Sequence, residues 1–208
     1  AGGVHERLTL SSVARENAVN LTAVELCVGG GGQYLGLHRA GFQHLAVVDN
    51  EPSTRDTFVL NLGPNAPFIL ADLHAVDGAD FRGVDLIAGG VPCPPFSIAG
   101  KQLGADDERD LFPVALRIIQ TARPRAVLLE NVPGFASSRF DSYRDALIRK
   151  LDRLGYEADW TILNASDFGV AQLRPRFVLV ALRPEFRPFF AWPTPAKSVP
   201  TVGETLGD

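Results

Sequence analysis

Apolar and polar positions alternate along the chain in short blocks, and glycine, proline or acidic residues separate the blocks. Seven apolar blocks have the length and composition of strands, and four segments between them read as helices. The predicted strands are Leu21–Val28, Leu45–Val48, Phe68–Leu70, Val84–Ala88, Ala126–Leu129, Trp160–Leu163 and Phe177–Leu182. The predicted helices are Tyr34–Ala40, Ser53–Leu60, Leu111–Ala122 and Tyr143–Leu154. This alternation predicts an α/β fold with a mostly parallel seven-stranded sheet and helices on both faces.

Composition narrows the class of protein without naming its chemistry. Two cysteines, Cys27 and Cys93, are too few for a disulfide framework and indicate a reducing compartment. No run of about 18 apolar residues is present, so we expect no membrane span, and the first residues lack the pattern of a signal peptide. The net charge is −4, with 5 basic and 10 acidic side chains in residues 1–100 but 15 and 14 in residues 101–208. A surface for a polyanion is therefore expected in the second half or in a part not present here.

A glycine run follows the first predicted strand and precedes a helix. Glycine at Gly29, Gly31 and Gly32 allows a sharp turn and a close approach of backbone to a ligand. Asp49 ends the second strand about 20 positions later, where an acidic residue commonly binds ribose hydroxyls, and Asp72 follows the third strand. The pattern predicts a nucleotide-like ligand. It does not separate a dinucleotide from S-adenosylmethionine, because both present an adenosine.

Cys93 lies between prolines just past the fourth predicted strand. Pro92, Pro94 and Pro95 fix backbone angles and remove amide donors, which makes the segment stiff. Open α/β sheets place their chemistry at the carboxyl ends of parallel strands. Cys93 is therefore a candidate nucleophile, although a lone cysteine is also compatible with a buried structural role.

Five segments, taken in order, resemble the motifs of the cytosine-5 DNA methyltransferases. They are the glycine turn Glu25–Gly32, the Pro-Cys segment Pro92–Ser97, the stretch Gly100–Gln102 with Arg109, the Glu-Asn-Val motif Glu130–Val132, and the Gln-x-Arg-x-Arg motif Gln172–Arg176. The resemblance covers roughly residues 22–205. It implies a Rossmann-like, S-adenosylmethionine-dependent methyltransferase fold and methyl transfer to carbon 5 of cytosine in DNA, with S-adenosylhomocysteine as the product.

The chemistry of cytosine explains the catalytic residues that the resemblance implies. A thiolate of Cys93 adds to carbon 6 and makes carbon 5 carbanion-like. Glu130 donates a proton at N3 if burial among apolar strand residues keeps its carboxyl protonated. The alternative for this residue is a salt bridge at the end of the strand. Arg174 and Arg176 offer fixed forks, one to the cytosine carbonyl oxygen and the other to a neighbouring carboxylate or phosphate. The base that removes the carbon 5 proton is not identified, and water remains an option.

The same resemblance implies the remaining site residues. The cofactor-binding residues are Glu25, Gly29, Gly31, Gly32, Asp49, Asn50, Asp72, Pro92 and Leu111, with Asp49 at the ribose and Asp72 at the adenine amino group. The substrate-binding residues are Ser97, Gln172 and Asn131, which is expected to brace the cysteine segment. No metal is implied. The target carbon is inaccessible in a duplex, so the cytosine has to be flipped out of double-stranded DNA.

Three departures from the family pattern qualify these expectations. Cys27 stands where the family often has phenylalanine, and the Arg109–Phe112 stretch is one residue shorter than usual. Neither a target-recognition region nor the final motif is visible, which leaves room for a second chain that carries them. We therefore predict a lead-in at residues 1–20, a catalytic domain at 21–190 and a linker at 191–208.

Three other functions remain open from the sequence. They are a tRNA cytosine-5 methyltransferase with the same core, a non-catalytic partner subunit of a split methyltransferase, and an NAD-dependent oxidoreductase, which leaves the Pro-Cys segment unexplained. A DNA methyltransferase is expected in the bacterial cytoplasm with the nucleoid, or in the nucleus of a eukaryote.

Overall fold

The computed structural model of the chain describes residues 21–93, 110–196 and 198–207. Strands and helices alternate through most of this part of the chain. The strands are β1 (Thr22–Leu26), β2 (Gln43–Asp49), β3 (Phe68–Leu70), β4 (Leu86–Gly89), β5 (Ala126–Asn131), β6 (Glu157–Asn164) and β7 (Pro175–Leu182). The α-helices are α1 (Gly32–Arg39), α2 (Pro52–Leu62), α3 (Phe112–Ala122), α4 (Asp141–Arg153) and α5 (Val202–Leu206).

The seven strands form one sheet in the order β3-β2-β1-β4-β5-β7-β6. The first five strands in this order are parallel, and β7 runs antiparallel to both of its neighbours. Strand order reverses between β1 and β4, so the loops after these two strands diverge and leave a crevice at their carboxyl ends. Open α/β sheets bind ligands at such a point.

Residues on successive positions of β1 and β4 pack against different layers, as strand geometry requires. Ala23 and Leu86 pack with Leu37 of α1 on one face. Val24 and Ile87 belong to the larger core that includes the buried side of α3 on the other face. Helices therefore cover both faces of the sheet.

The larger core ends in a cluster of aromatic rings beyond the carboxyl end of β5. Phe135 is fully buried, and its ring centroid lies 5.2 Å from that of Phe112, 5.1 Å from Phe140 and 4.9 Å from Phe177. These rings come from α3, the turns after β5 and the strand β7. The cluster fixes the end of β5, where Glu130 and Asn131 lie, against α3 and β7.

The predicted fold class is confirmed, with all seven strands and the four predicted helices at their expected places. The antiparallel insertion of β7 between β5 and β6 is the main feature that the sequence pattern did not specify. α5 falls inside the predicted linker. Thr201 and Glu204 cap it reciprocally, and this Thr-x-x-Glu spacing was a readable signal for a helix start.

Two properties of the described residues bear on function. None of their helices is long and apolar enough to cross a membrane. Within the same residues, no group of three or more histidine, cysteine or acidic side chains is arranged to hold a metal ion.

Candidate active site

A cavity of about 650 Å³ opens at the carboxyl edge of the sheet. Among the described residues it is lined by Cys27, Val48, Asp49, Asn50, Ala71, Asp72, Leu73, His74, Gly90, Pro92, Cys93 and Leu111. Five of the predicted cofactor residues are in this set: Asp49, Asn50, Asp72, Pro92 and Leu111. Cys93 lines the same cavity, so the candidate nucleophile and the candidate cofactor site share one crevice.

Asp49 ties the glycine turn to the end of β2. Its Oδ2 accepts a hydrogen bond from the backbone N–H of Gly29 at 2.9 Å, and its Oδ1 accepts one from Glu51 at 3.0 Å. Gly31 is the N-cap of α1 with φ of 78°, a conformation that favours glycine. A Cβ at Gly31 would also come within 3.0 Å of the Phe58 ring. Gly29, Gly31 and Gly32 therefore shape the crevice from behind, outside the residues that line it.

Glu25 lies beneath the glycine turn and is also outside the lining. Its side chain is 1% exposed, and its Oε2 lies 3.4 Å from Nε2 of His44. Burial raises the pKa of this carboxyl, while His44 and a hydrogen bond from the backbone N–H of Tyr34 oppose that rise. Since Tyr34 belongs to the first turn of α1, Glu25 holds the helix that follows the glycine turn.

Asp72 is exposed on the wall of the crevice, and His74 supports it. The backbone N–H of His74 donates to Asp72 Oδ1, and Nδ1 of its ring lies at 2.8 Å from the same oxygen. These hydrogen bonds hold the pKa of the Asp72 carboxyl below its ordinary value. His74 was not among the predicted site residues. The Asp-x-His spacing after β3 was its signal, because aspartate commonly accepts from a backbone N–H two positions on.

Two hydrogen bonds from different elements hold the residues that precede Cys93. Nδ2 of Asn131 donates to the Val91 carbonyl at 2.8 Å, and the backbone N–H of Leu111 donates to the Pro92 carbonyl at 3.2 Å. The bracing hydrogen bond expected of Asn131 is therefore present. Burial raises the pKa of the Cys93 thiol, and the nearby Asp110 carboxylate adds to this, while a hydrogen bond with Asn131 acts in the opposite direction.

Glu130 and Arg176 form an ion pair across β5 and β7. Nε of Arg176 lies 2.6 Å from Oε1 of Glu130, and the two side chains are 25% and 32% exposed. The expectation that apolar neighbours enclose the Glu130 carboxyl is therefore wrong, because strand partners on β7 supply a guanidinium instead. Among the two open roles for the paired arginines, contact with a neighbouring carboxylate is the one that Arg176 adopts.

The Glu130 carboxyl borders the crevice at Gly90. A Cβ built on Gly90 would lie 3.2 Å from Oε2 of Glu130 and 3.7 Å from the Cys27 carbonyl. A larger residue at this position would crowd the Glu130 carboxyl and the cavity that Gly90 and Cys93 line. The glycine therefore brings β4 and the end of β5 together at the site.

Of the remaining predicted residues, two are exposed on the surface and two lie outside the described part of the chain. Gln172 and Arg174 are exposed, and the backbone N–H of Arg174 donates to the side chain of Asn164 at 2.9 Å. Ser97 and Arg109 fall in the segment between residues 93 and 110, which lies outside the described residues, so their predicted roles stay predictions.

The side chains that line the crevice suit a ligand in which a positively charged group lies next to an adenosine. Asp49 and Asp72 supply carboxylate acceptors, while Leu73, Pro92 and Leu111 supply apolar surface. Carboxylates suit ribose hydroxyls and an exocyclic amine, and apolar walls with few polar groups are typical of cofactor sites. The residues present are therefore suited to S-adenosylmethionine.

Comparison with known proteins agrees with this geometry. The model of the C-5 cytosine-specific DNA methylase family matches residues 21–208. The chain is 51% identical over 191 residues to the Type II methyltransferase M.NaeI of Lentzea aerocolonigenes, covering 91% of this chain and 46% of that protein. It is 50% identical to M.NgoMIV of Neisseria gonorrhoeae, covering 91% of this chain and 61% of that protein. The chain thus spans about half the length of the curated relatives it matches.

Similarity to solved structures concerns the fold. An E. coli protein encoded within a prophage superposes with a TM-score of 0.74 at 24% identity. The superposition covers 90% of this chain and 54% of that one. From the family match over residues 21–208 and the relatives at half identity, the chain belongs to the C-5 cytosine-specific DNA methylase family.

Proposed function

We propose that this chain forms the catalytic part of a methyltransferase that modifies carbon 5 of cytosine in DNA. One observation carries the proposal. The crevice that holds Asp49 and Asp72 is also lined by Cys93, and Gly90 brings the Glu130–Arg176 pair to its border. A single site thus combines a thiol nucleophile, a carboxyl group with its guanidinium and a wall suited to an adenosine.

Cys93 is the nucleophile in this proposal. Its sulfur adds to carbon 6 of the cytosine, which breaks the 5,6 double bond and moves electron density to carbon 5. The hydrogen bonds from Asn131 and Leu111 fix the backbone just before Cys93, so the thiol is aimed before the base arrives. The addition is reversed at the end, when the carbon 5 proton leaves and the bond between sulfur and carbon 6 breaks.

Glu130 and Arg176 act on the opposite edge of the base. As the sulfur adds, negative charge builds on the ring at N3. We assign the Glu130 carboxyl, which is ion-paired with Arg176 before the base enters, to deliver a proton to N3 once the base covers its exposed side. Arg176 orients this carboxyl through its Nε. Its remaining N–H groups are suited to the cytosine carbonyl oxygen, because guanidinium presents its donors in a fixed fork.

The cofactor supplies the group that is transferred. S-adenosylmethionine, when bound, offers an electrophilic methyl group on a positively charged sulfur. Asp49 and Asn50 are assigned to the ribose side of its site, Asp72 to the adenine, and Pro92 and Leu111 to the apolar walls. Glu25, Gly29, Gly31 and Gly32 support this site from the turn behind it.

The substrate is double-stranded DNA with the target cytosine flipped into the crevice. An extruded base is needed because carbon 6 is inaccessible in the stack. Arg174 and Gln172 lie exposed near the same edge and are assigned to the nucleotide, as is Ser97. Target recognition and much of the phosphate contact are assigned to a region outside the crevice described above or to a second chain. Such an enzyme works in the cytoplasm of a bacterium, with the nucleoid.

Release of tritium from DNA labelled at carbon 5 of cytosine tests this proposal. The protein at its native length is incubated with S-adenosylmethionine and labelled DNA of mixed sequence. We expect release by the wild-type protein and none by Cys93→Ala. Labelled tRNA in a parallel reaction separates the related tRNA activity. Release from tRNA alone, or equal release by Cys93→Ala, would overturn the proposal.

A further inference from the structure

A buried carboxylate joins the first turns of α3 and α4 beside the cysteine segment. Asp110 is 5% exposed. Its Oδ1 accepts a hydrogen bond from the backbone N–H of Phe112 at 3.1 Å, and its Oδ2 accepts one from the Tyr143 hydroxyl at 2.5 Å. Charge-assisted hydrogen bonds of this length are strong. The pair therefore fixes the backbone at Asp110 and Leu111 relative to α4.

This fixed backbone is connected to the nucleophile. The N–H of Leu111, next to Asp110, donates to the carbonyl of Pro92, which immediately precedes Cys93. Asn131 holds Val91 from the β5 side. The two residues before Cys93 are thus held by two separate elements. Val91 is held by a side chain at the end of β5, and Pro92 by a backbone N–H just before α3.

We propose that Asp110 and Tyr143 are positioning residues for Cys93 and that they act through Leu111 and Pro92. This inference rests on the proposed function, in which Cys93 is the nucleophile. Neither Asp110 nor Tyr143 was among the site residues expected from sequence, where Tyr143 appeared only as the first residue of a predicted helix. The carboxylate has a second effect at the thiol, since its negative charge adds to burial in raising the pKa of Cys93.

A purely structural role for the pair predicts something different. In that case Tyr143 would contribute to stability through its ring and hydroxyl, as Tyr156 does, without any effect on the cysteine. Tyr156 is the matched comparison. It is buried, and its hydroxyl donates to the Pro124 carbonyl at 2.7 Å. Pro124 lies just before β5 begins, at the opposite edge of the sheet from Cys93.

The first experiment compares Tyr143→Phe with Tyr156→Phe. Each substitution removes one hydroxyl hydrogen bond and keeps the ring. We expect Tyr143→Phe to lower kcat for methyl transfer about tenfold or more, because small misplacement of a reacting group costs rate steeply. The affinity for S-adenosylhomocysteine in calorimetry should change little. Tyr156→Phe should keep the wild-type kcat. Equal kcat in the two variants would overturn the inference.

The second experiment measures alkylation of Cys93 by iodoacetamide as a function of pH, with the modified peptide identified by mass spectrometry. Asp110→Asn keeps an acceptor of the same shape and removes the charge. Because the charge raises the pKa of the thiol, the midpoint of the alkylation profile should move to lower pH. In Tyr143→Phe, the rate reached at high pH should change severalfold relative to Tyr156→Phe. An unmoved midpoint together with matching rates would overturn the inference.

The alkylation profile needs neither DNA nor cofactor, so its failure and the failure of the proposed function are distinguishable. If wild-type protein transfers no methyl group, the proposed function fails, while the alkylation data still decide the positioning role. The other charged groups around Cys93 are common to all variants. They are Asp49, Asp72 and His74 in the crevice, Glu130 with Arg176 at its border, and Lys150, which lines a small cavity with Asp110 and Tyr143.

Discussion

At the scale of single residues, the members of the Glu130–Arg176 pair have different roles in the proposed chemistry. Arg176 orients the carboxyl, and Glu130 acts on the base. A guanidinium Nε at 2.6 Å holds the carboxyl in one orientation, and such charge-assisted contacts add geometric specificity. The carboxyl is still about one-third exposed, so a base entering the crevice can replace water on its free side. Glu130 is thus both oriented and accessible.

Replacing Glu130 by glutamine tests its assignment as the proton donor. An amide has nearly the same shape but cannot give a proton to N3, so we expect methyl transfer to fall by about 100-fold or more. Binding of S-adenosylhomocysteine should be unchanged, because Glu130 does not line the adenosine wall. Glu157→Gln, an exposed carboxyl at the start of β6, is the matched control and should keep full activity. A rate within a few-fold of wild type would remove Glu130 from the mechanism.

Cys27 gives a second prediction at this scale. Burial, reinforced by the charges of Asp49 and Asp72, raises the pKa of its thiol from 9.0 to about 12. Between these values the folded thiol keeps a proton that the unfolded thiol has lost, so stability falls as pH rises. Cys27→Ala removes this titration. The urea concentration at the unfolding midpoint should therefore fall less between about pH 8 and about pH 11 in Cys27→Ala than in wild type. Parallel declines would show that the thiol does not carry the effect.

At the scale of elements, the aromatic cluster around Phe135 holds the catalytic strand end in place. Phe135 follows β5 by a few residues, and its ring meets Phe112 at the start of α3 and Phe177 near the start of β7. Glu130 and Asn131 end β5, while Arg176 precedes Phe177 on β7. Packing at this cluster therefore sets the distance between the members of the ion pair.

Phe135→Ala should destabilise the fold by about 3–5 kcal/mol, since it leaves a cavity in a fully buried cluster. Urea unfolding measures this directly. Phe189→Ala is the control, because Phe189 is 87% exposed, and a surface substitution should stay within about 0.5 kcal/mol of wild type. A small effect at Phe135 would mean that the rings repack freely and do not hold β5.

The sequence predicts the elements well because local pattern determines them. Apolar runs ending in glycine or aspartate identify most of the parallel strands, and the spacing from the glycine turn locates Asp49 at the end of β2, where it lines the crevice. The antiparallel place of β7 could not be read in this way. Strand pairing such as Leu129 with Leu179 depends on which surface remains unpaired after folding, which no local pattern encodes.

The same limit explains the errors in the site. Burial of Glu130 was expected from its apolar strand neighbours in sequence, but its environment is set by Arg176 across the sheet. Likewise, Asp110 lies just before α3 and Tyr143 lies on α4, and they meet through the packing of the start of α3 against α4. Motifs locate the residues proposed to act on the substrate, whereas the residues that hold them depend on tertiary contacts.

At the scale of the whole molecule, the crevice concentrates negative charge in a protein with a net charge of −4. Asp49 and Asp72 line it, and the charge of Asp110 adds to burial in raising the pKa of the Cys93 thiol in its lining. This arrangement favours a cationic ligand over an anionic one. S-adenosylmethionine carries a positive sulfur and no phosphate, whereas NAD would bring a pyrophosphate to the same wall.

The increase in Tm of the folded protein on adding ligand therefore distinguishes S-adenosylmethionine from NAD. At a concentration about 100 times its Kd, S-adenosylmethionine should stabilise the native state by about 2.7 kcal/mol, which corresponds to roughly 5–10 °C in Tm for a domain of this size. NAD should produce no shift.

Asp72→Ala should abolish the Tm shift produced by S-adenosylmethionine. Its matched control is Asp77→Ala, because Asp77 caps the next short helical turn in the same way, accepting from Ala79 at 2.9 Å, without lining the crevice. If Asp77→Ala loses the shift as well, damage to the caps explains the result. If Asp72→Ala keeps it, the adenosine lies elsewhere.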